Sequence, residues 1–160
     1  MNDTAAVHPN GRWDVAVPLL LTLWVGATWA IGYLAVPILF ASLEDRMLAG
    51  ALAGKMFHAE ALLGLLAGGL LALTLALQAG SRWLADKRLW LIAAMLLLTA
   101  VGAFVLQPQM AALKAAGLPD DLAGSDFARL HGIASALYLL RSGLGLALVL
   151  LLARRMAGRA

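Results

Sequence analysis

Arg141 stands inside a largely apolar run that extends from Gly132 to Ala153. In hydrocarbon a charge near mid-depth costs about 3 kcal/mol or more, so this arginine needs a partner or a task. Two readings are open: an anion or substrate contact in a cavity, or a structural arginine satisfied by hydroxyls and carbonyls. Tyr138 and Ser142 are the neighbours placed to share that intramembrane contact. Glu60 is the nearest carboxylate on an apolar stretch. Counting helical rise from the inner boundary puts it about 12 Å further out than Arg141, so a direct ion pair is not assured. The same count gathers His58, Glu60, Gln107, Gln109, Arg129, His131, Ser135 and Tyr33 at the outer end. His131, Ser135, Tyr138, Ser142 and Gly145 recur at helical spacing, and that face is expected to look into a bundle, with Arg141 to its side. His58 and His131 are candidate metal or haem-iron ligands from facing helices, or interfacial hydrogen-bonding histidines. With no cysteine, two histidines make an incomplete copper or zinc site unless Glu60, a methionine or water joins them. No nucleophile–base pair, phosphate loop or paired carboxylates can be read, which favours a non-enzymatic protein.

The elements that must position these residues are membrane spans. Of 160 residues 62% are hydrophobic and only 13% charged, where a soluble domain has about a quarter charged. Four apolar runs, over residues 15–41, 59–79, 88–107 and 131–153, are each long enough to cross a bilayer. The expected fold is all-α, a single integral-membrane four-helix bundle over residues 1–160. Pro37 is expected to kink or end the first helix. Glu44 to Lys55 reads as a short helix leading into the second span. Pro108 is expected to open another short helix after the third span, in the longest loop, where Asp120, Asp121 and Asp126 are acidic. Gly64 and Gly68 form a small-residue packing face, for contacts inside the monomer or for a homo-oligomer.

Charge placement suggests orientation. Arg12, Arg82, Lys87, Arg88, Arg154, Arg155 and Arg159 fall on one side, against Arg46, Lys55, Lys114 and Arg129 on the other. The positive-inside rule then puts both termini in the cytoplasm. The expected location is the cytoplasmic (inner) membrane of a bacterium, with the lipid bilayer as partner. The net charge of +3 is explained by these loops, and no basic stripe with interleaved aromatics points to nucleic acid.

Phe127-Ala-Arg-Leu-His131-Gly132-Ile-Ala-Ser135 resembles the signature of the transmembrane protein 205-like family, the domain of unknown function 4149. Trp24-Val-Gly26, Pro37-Ile-Leu-Phe40 and Gln107-Pro108-Gln-Met110 add to that resemblance, which covers about Leu23 to Leu151. The family's last span often has an asparagine where Tyr138 stands here. The resemblance implies a small four-span membrane protein. It also implies a distant kinship with copper-resistance protein D and the membrane protoporphyrinogen oxidase, which build their function from helix histidines. Three functions follow as expectations: handling of a small solute or metal at the outer polar cluster, a haem- or copper-binding redox protein using His58 and His131, or a scaffold working through Gly64 and Gly68.

Overall fold

The computed structural model describes residues 11–115 and 126–157, and among these every regular element is helical. Helix α1 (Gly11–Trp29) passes through a π-helical segment (Ala30–Ala35) into α2 (Val36–Ser42). Helix α3 (Arg46–Ala79) ends in a 3-10 turn (Gly80–Ala85). Helix α4 (Lys87–Val101) passes through a second π segment (Gly102–Leu106) into α5 (Gln107–Ala115), and α6 (Asp126–Ala157) completes the bundle. Four stretches are long and apolar enough to cross a membrane: Val15–Ser42, Arg46–Ala85, Lys87–Ala115 and Asp126–Arg154. A stripe of outward-facing leucines on α3 (Leu62, Leu66, Leu70, Leu73 and Leu77) has the exposure that a lipid-facing surface requires.

The helices are longer than the apolar runs suggest. Glu44–Lys55 contributes no separate short helix; from Arg46 it belongs to the 34 residues of α3. Asp45 sets that start, its side chain accepting from the backbone N–H groups of Met47 and Leu48. Neither proline ends its helix. A proline ring clashes with the carbonyl four residues back, which is residue 33 for Pro37 and residue 104 for Pro108. Both carbonyls lie within the π segments, where the wider turn makes room. The residue before each proline bonds five residues back, Val36 N–H to the Ile31 carbonyl and Gln107 N–H to that of Gly102. The third span therefore continues to Ala115. Gly117, Pro119, Asp120 and Asp121 lie outside the described residues; Asp126 opens the first turn of α6.

At the other end Gly80 adopts φ +56°, the backbone region open to glycine, and reverses the chain into the 3-10 turn. Asp86 caps α4 through the Arg88 N–H and also forms a salt bridge with the Arg88 guanidinium.

The core centres on Trp24, fully buried among Leu71, Leu75, Ile92, Met95 and Leu148. Its indole lies flat across Gly64 and Gly68. A Cβ on Gly64 would meet the indole Nε1 at 2.6 Å, and one on Gly68 would meet the far ring edge at 2.6 Å. The small-residue face of α3 is thus filled at Gly64 and Gly68 from within the same chain.

The two halves of the bundle repeat each other. Leu21, Trp24, Thr28 and Pro37 recur at one constant offset as Ile92, Met95, Thr99 and Pro108. The first three of each set are buried, and a π segment precedes each proline. Phe57, Glu60, Ala61, Gly64 and Leu71 recur, again at a constant offset, as Tyr138, Arg141, Ser142, Gly145 and Leu152. Gly64 seats Trp24, and Gly145 packs against Met95 and Val25. The bundle is therefore two quasi-equivalent helical hairpins, α1–α3 and α4–α6.

Candidate functional site

Each span places one polar side chain at a common level: Thr28, Glu60, Thr99 and Arg141, all at least nine-tenths buried. Thr28 lies midway between Val15 and Ser42, the two ends of its span. Both threonines stand on helical backbone whose own bonds are made, so their hydroxyls can turn inward. Thr28 Oγ1 donates to Glu60 Oε1 at 2.8 Å or to the Trp24 carbonyl at 3.1 Å. Thr99 Oγ1 donates to the Met95 carbonyl at 2.8 Å and accepts from Arg141 Nη1 at 3.0 Å. Arg141 Nη2 closes the network on Glu60, at 2.9 Å from Oε1 and 2.7 Å from Oε2. Each charged residue thus bonds the threonine of its own hairpin, and the ion pair joins the hairpins.

Aromatic rings roof the pair. The Tyr138 ring lies 4.6 Å from the Arg141 guanidinium carbon, a cation–π contact in a desolvated setting. Its hydroxyl donates to the Thr28 carbonyl. The phenol occupies a notch left by Gly32, where a Cβ would collide with the ring. Phe57 and Tyr33 meet the Tyr138 ring edge-on, at centroid distances of 5.2 and 6.0 Å. Because Phe57 has no hydroxyl, the phenol bond to Thr28 has no counterpart across the repeat.

Two buried donors are unused among the described residues, Trp24 Nε1 and one of the ion pair's own. Arg141 Nε is buried with no hydrogen-bond partner among the described residues. A guanidinium donor left unmade in a low-dielectric interior is costly, by about 1–3 kcal/mol. The two hydroxyls, one carboxylate and one guanidinium can hold a proton or exchange partners with a small anion; they include no nucleophile–base pair.

The depth estimate for Glu60 fails here: it meets Arg141 directly. Towards the end closed by the 3-10 turn, α3 runs on from Glu60 to Ala79 and α6 from Arg141 to Ala157, beyond the apolar run that stops at Ala153. Helix α3 is still about 5 Å the longer there, so a count from the ends of the apolar runs sets Glu60 and Arg141 at different depths.

The remaining expected residues are spread around the end of the bundle away from the 3-10 turn. His58, Arg129, His131 and Ser135 are exposed, and Gln107 is half-buried in the turn after the second π segment. The expected inward face of α6 is rotated. Tyr138, Arg141, Ser142, Gly145, Leu148 and Leu152 point inward, whereas His131 and Ser135 face out. The Ser135 hydroxyl is satisfied locally, donating to the His131 carbonyl at 2.8 Å, and the Ser142 hydroxyl likewise donates to that of Tyr138. His131 stacks on Phe127 one turn before it, at 6.0 Å. Lys114 sits 5.1 Å over the same Phe127 ring and donates to the Gly50 carbonyl, tying α5 to α3 and α6. Among the described residues no three histidine, aspartate or glutamate side chains come together as a metal-binding group.

Thr28 and Thr99 were missed as site residues. Their signal is a repeated pattern, threonine, four residues, an aromatic, three residues, proline: Thr28–Tyr33–Pro37 and Thr99–Phe104–Pro108.

Residues 19–119, more than half of the chain, match the family model described as a domain of unknown function, DUF4149. The chain belongs to this family. The match takes in Thr28, Glu60 and Thr99 and ends before α6, which supplies Arg141. No curated protein and no solved structure matches.

Proposed function

We propose that this DUF4149 protein is a non-enzymatic, multi-pass membrane protein that handles a small anionic solute, with the Glu60–Arg141 cluster as the element that responds to it. The supporting observation is the ion pair itself, shared between two repeated hairpins at mid-span with the Arg141 Nε donor unused. A buried ion pair adds little stability over an apolar filling of the same volume. Ionisable groups at this depth commonly mark solute or proton routes, and transporter sites commonly lie at the interface of internal repeats. The π segments lie just outward of both threonines and offer backbone that can rearrange.

The orientation belongs to the same proposal. Seven cations against four support both termini in the cytoplasm, in the inner membrane of a bacterium. His58, Gln107, Arg129, His131 and Ser135 then lie at the outer end of the bundle, with the Tyr138, Phe57 and Tyr33 rings between that end and the ion pair. The kinship with the transmembrane protein 205-like and copper-resistance protein D proteins would extend this setting, and it rests on the Phe127-to-Ser135 motif. No specific observation favours haem or copper at His58 and His131, since both are exposed and no third protein ligand joins them among the described residues.

The test is anion flux from vesicles reconstituted with the full chain, using chloride, formate and phosphate in turn. Release of one anion above protein-free vesicles, abolished in Arg141→Gln with helicity retained, is the expected result. If none of the three moves faster than in empty vesicles, the solute reading fails.

A further inference from the structure

Away from the ion pair, an apolar groove of about 280 Å³ runs between α3 and α4 at the end of the bundle closed by the 3-10 turn. Ala72 and Ala76 on α3 and Ala93 on α4 leave its space, because their side chains stop short of the leucines around them; Leu89 and Leu96 of α4 bound it along the helix. From Leu89 to Leu96 it extends about 10 Å along the helix, two-thirds of one leaflet of a roughly 30 Å hydrocarbon layer. Trp83 closes the end nearest the turn. The positive φ of Gly80 turns the chain back so that this indole lies against α4. Trp90 Nε1 donates to the Leu84 carbonyl at 2.9 Å and holds the turn in place. A smaller, more enclosed pocket of about 80 Å³ adjoins it, sharing Trp83, Leu89 and Ala93 and bounded by Leu84 and Trp90.

The charges beside these grooves are unequal. Residues 80–88 hold Arg82, Lys87 and Arg88 against the single carboxylate of Asp86. Asp86 engages Arg88 through both oxygens. Arg82 and Lys87 remain exposed, next to Trp83 and two residues before Leu89 respectively.

We infer that this site seats an anionic phospholipid of the surrounding bilayer. One acyl chain lies in the groove beside Ala93, and Arg82 and Lys87 hold the phosphate. A zwitterionic lipid is disfavoured, because the turn offers no second carboxylate to meet a cationic headgroup. Two cations near a membrane surface should favour the anionic lipid by roughly thirtyfold. The site is independent of what passes near Arg141.

Native mass spectrometry of the full chain tests this, after equilibration with equimolar phosphatidylglycerol and phosphatidylcholine whose chains differ in mass. The wild type should retain phosphatidylglycerol at roughly thirtyfold preference. Arg82→Gln with Lys87→Gln should bring the ratio near one, and Ala93→Phe, which fills the groove, should remove the bound lipid. Vesicles with brominated phosphatidylglycerol should quench a fluorescence component absent from Trp83→Phe. Equal retention of both lipids overturns the inference. So does a preference that survives the charge and groove variants, or a groove filled by a second copy, seen as a lipid-free dimer that Ala93→Phe dissociates.

Discussion

Arg141 is held in hydrocarbon by its neighbours, and each contact predicts a cost. Removing either end of the ion pair leaves a lone charge among apolar residues, so Glu60→Ala or Arg141→Ala should each destabilise by about 3–5 kcal/mol. Glu60→Leu with Arg141→Leu should cost well under the sum of the singles, since no charge is left behind. Reversible unfolding in mixed micelles, followed by circular dichroism, measures both. Thr99→Val removes the acceptor of Arg141 Nη1 at nearly constant shape and should cost about 1–3 kcal/mol. A loss no larger than that of an ordinary surface substitution would mean that Arg141 finds another acceptor. At this scale the sequence marked Arg141 as needing a partner and named Glu60 as the nearest carboxylate. It did not join them, because a depth count assumes that every helix stops at the same plane, and α3 does not.

Helix α3 is the element against which the others are arranged, and its glycines are filled rather than open. Gly64→Leu should force Trp24 out of its seat, lowering stability by about 1–3 kcal/mol without changing the oligomeric state. Size-exclusion chromatography with light scattering separates this from loss of a dimer face, which would shift the mass. The four spans are legible from run length and the scarcity of charge within each. The first agrees to within a residue, whereas the second begins earlier and the third runs on to Ala115. Pro37 reads as a kink or stop and Pro108 as the start of a separate helix, because a proline signals a clash four residues back, and only the structure shows the wider turn that relieves it. The face of α6 was also misjudged. Choosing every polar residue as inward placed His131 and Ser135 inside, although the buried stripe follows Tyr138, Arg141, Gly145 and Leu148. Ser135 can face out because its hydroxyl bonds the carbonyl one turn back.

For the whole molecule, the repeat makes a prediction that no single contact makes. Residue 60 stands beside Thr28 as residue 141 stands beside Thr99. Exchanging the charges, Glu60→Arg with Arg141→Glu, should therefore recover most of the stability that either single reversal loses, because each hydroxyl can donate or accept. Thermal melting in detergent checks this; a double variant no better than the single reversals would show that the halves are not interchangeable around the pair. Flanking asymmetry, Tyr138 against Phe57, sets the part that is not recovered. The division of charge between hairpins also bears on how the protein is made. During synthesis the first hairpin enters the bilayer with a carboxylate and no counter-ion, and the second later brings a guanidinium in the same condition. Until they meet, each is a membrane segment with an exposed polar defect, open to water or to proteolytic surveillance. The ion pair thus makes each hairpin incomplete alone: halves that fail to dock would each keep a charge with no partner at mid-span.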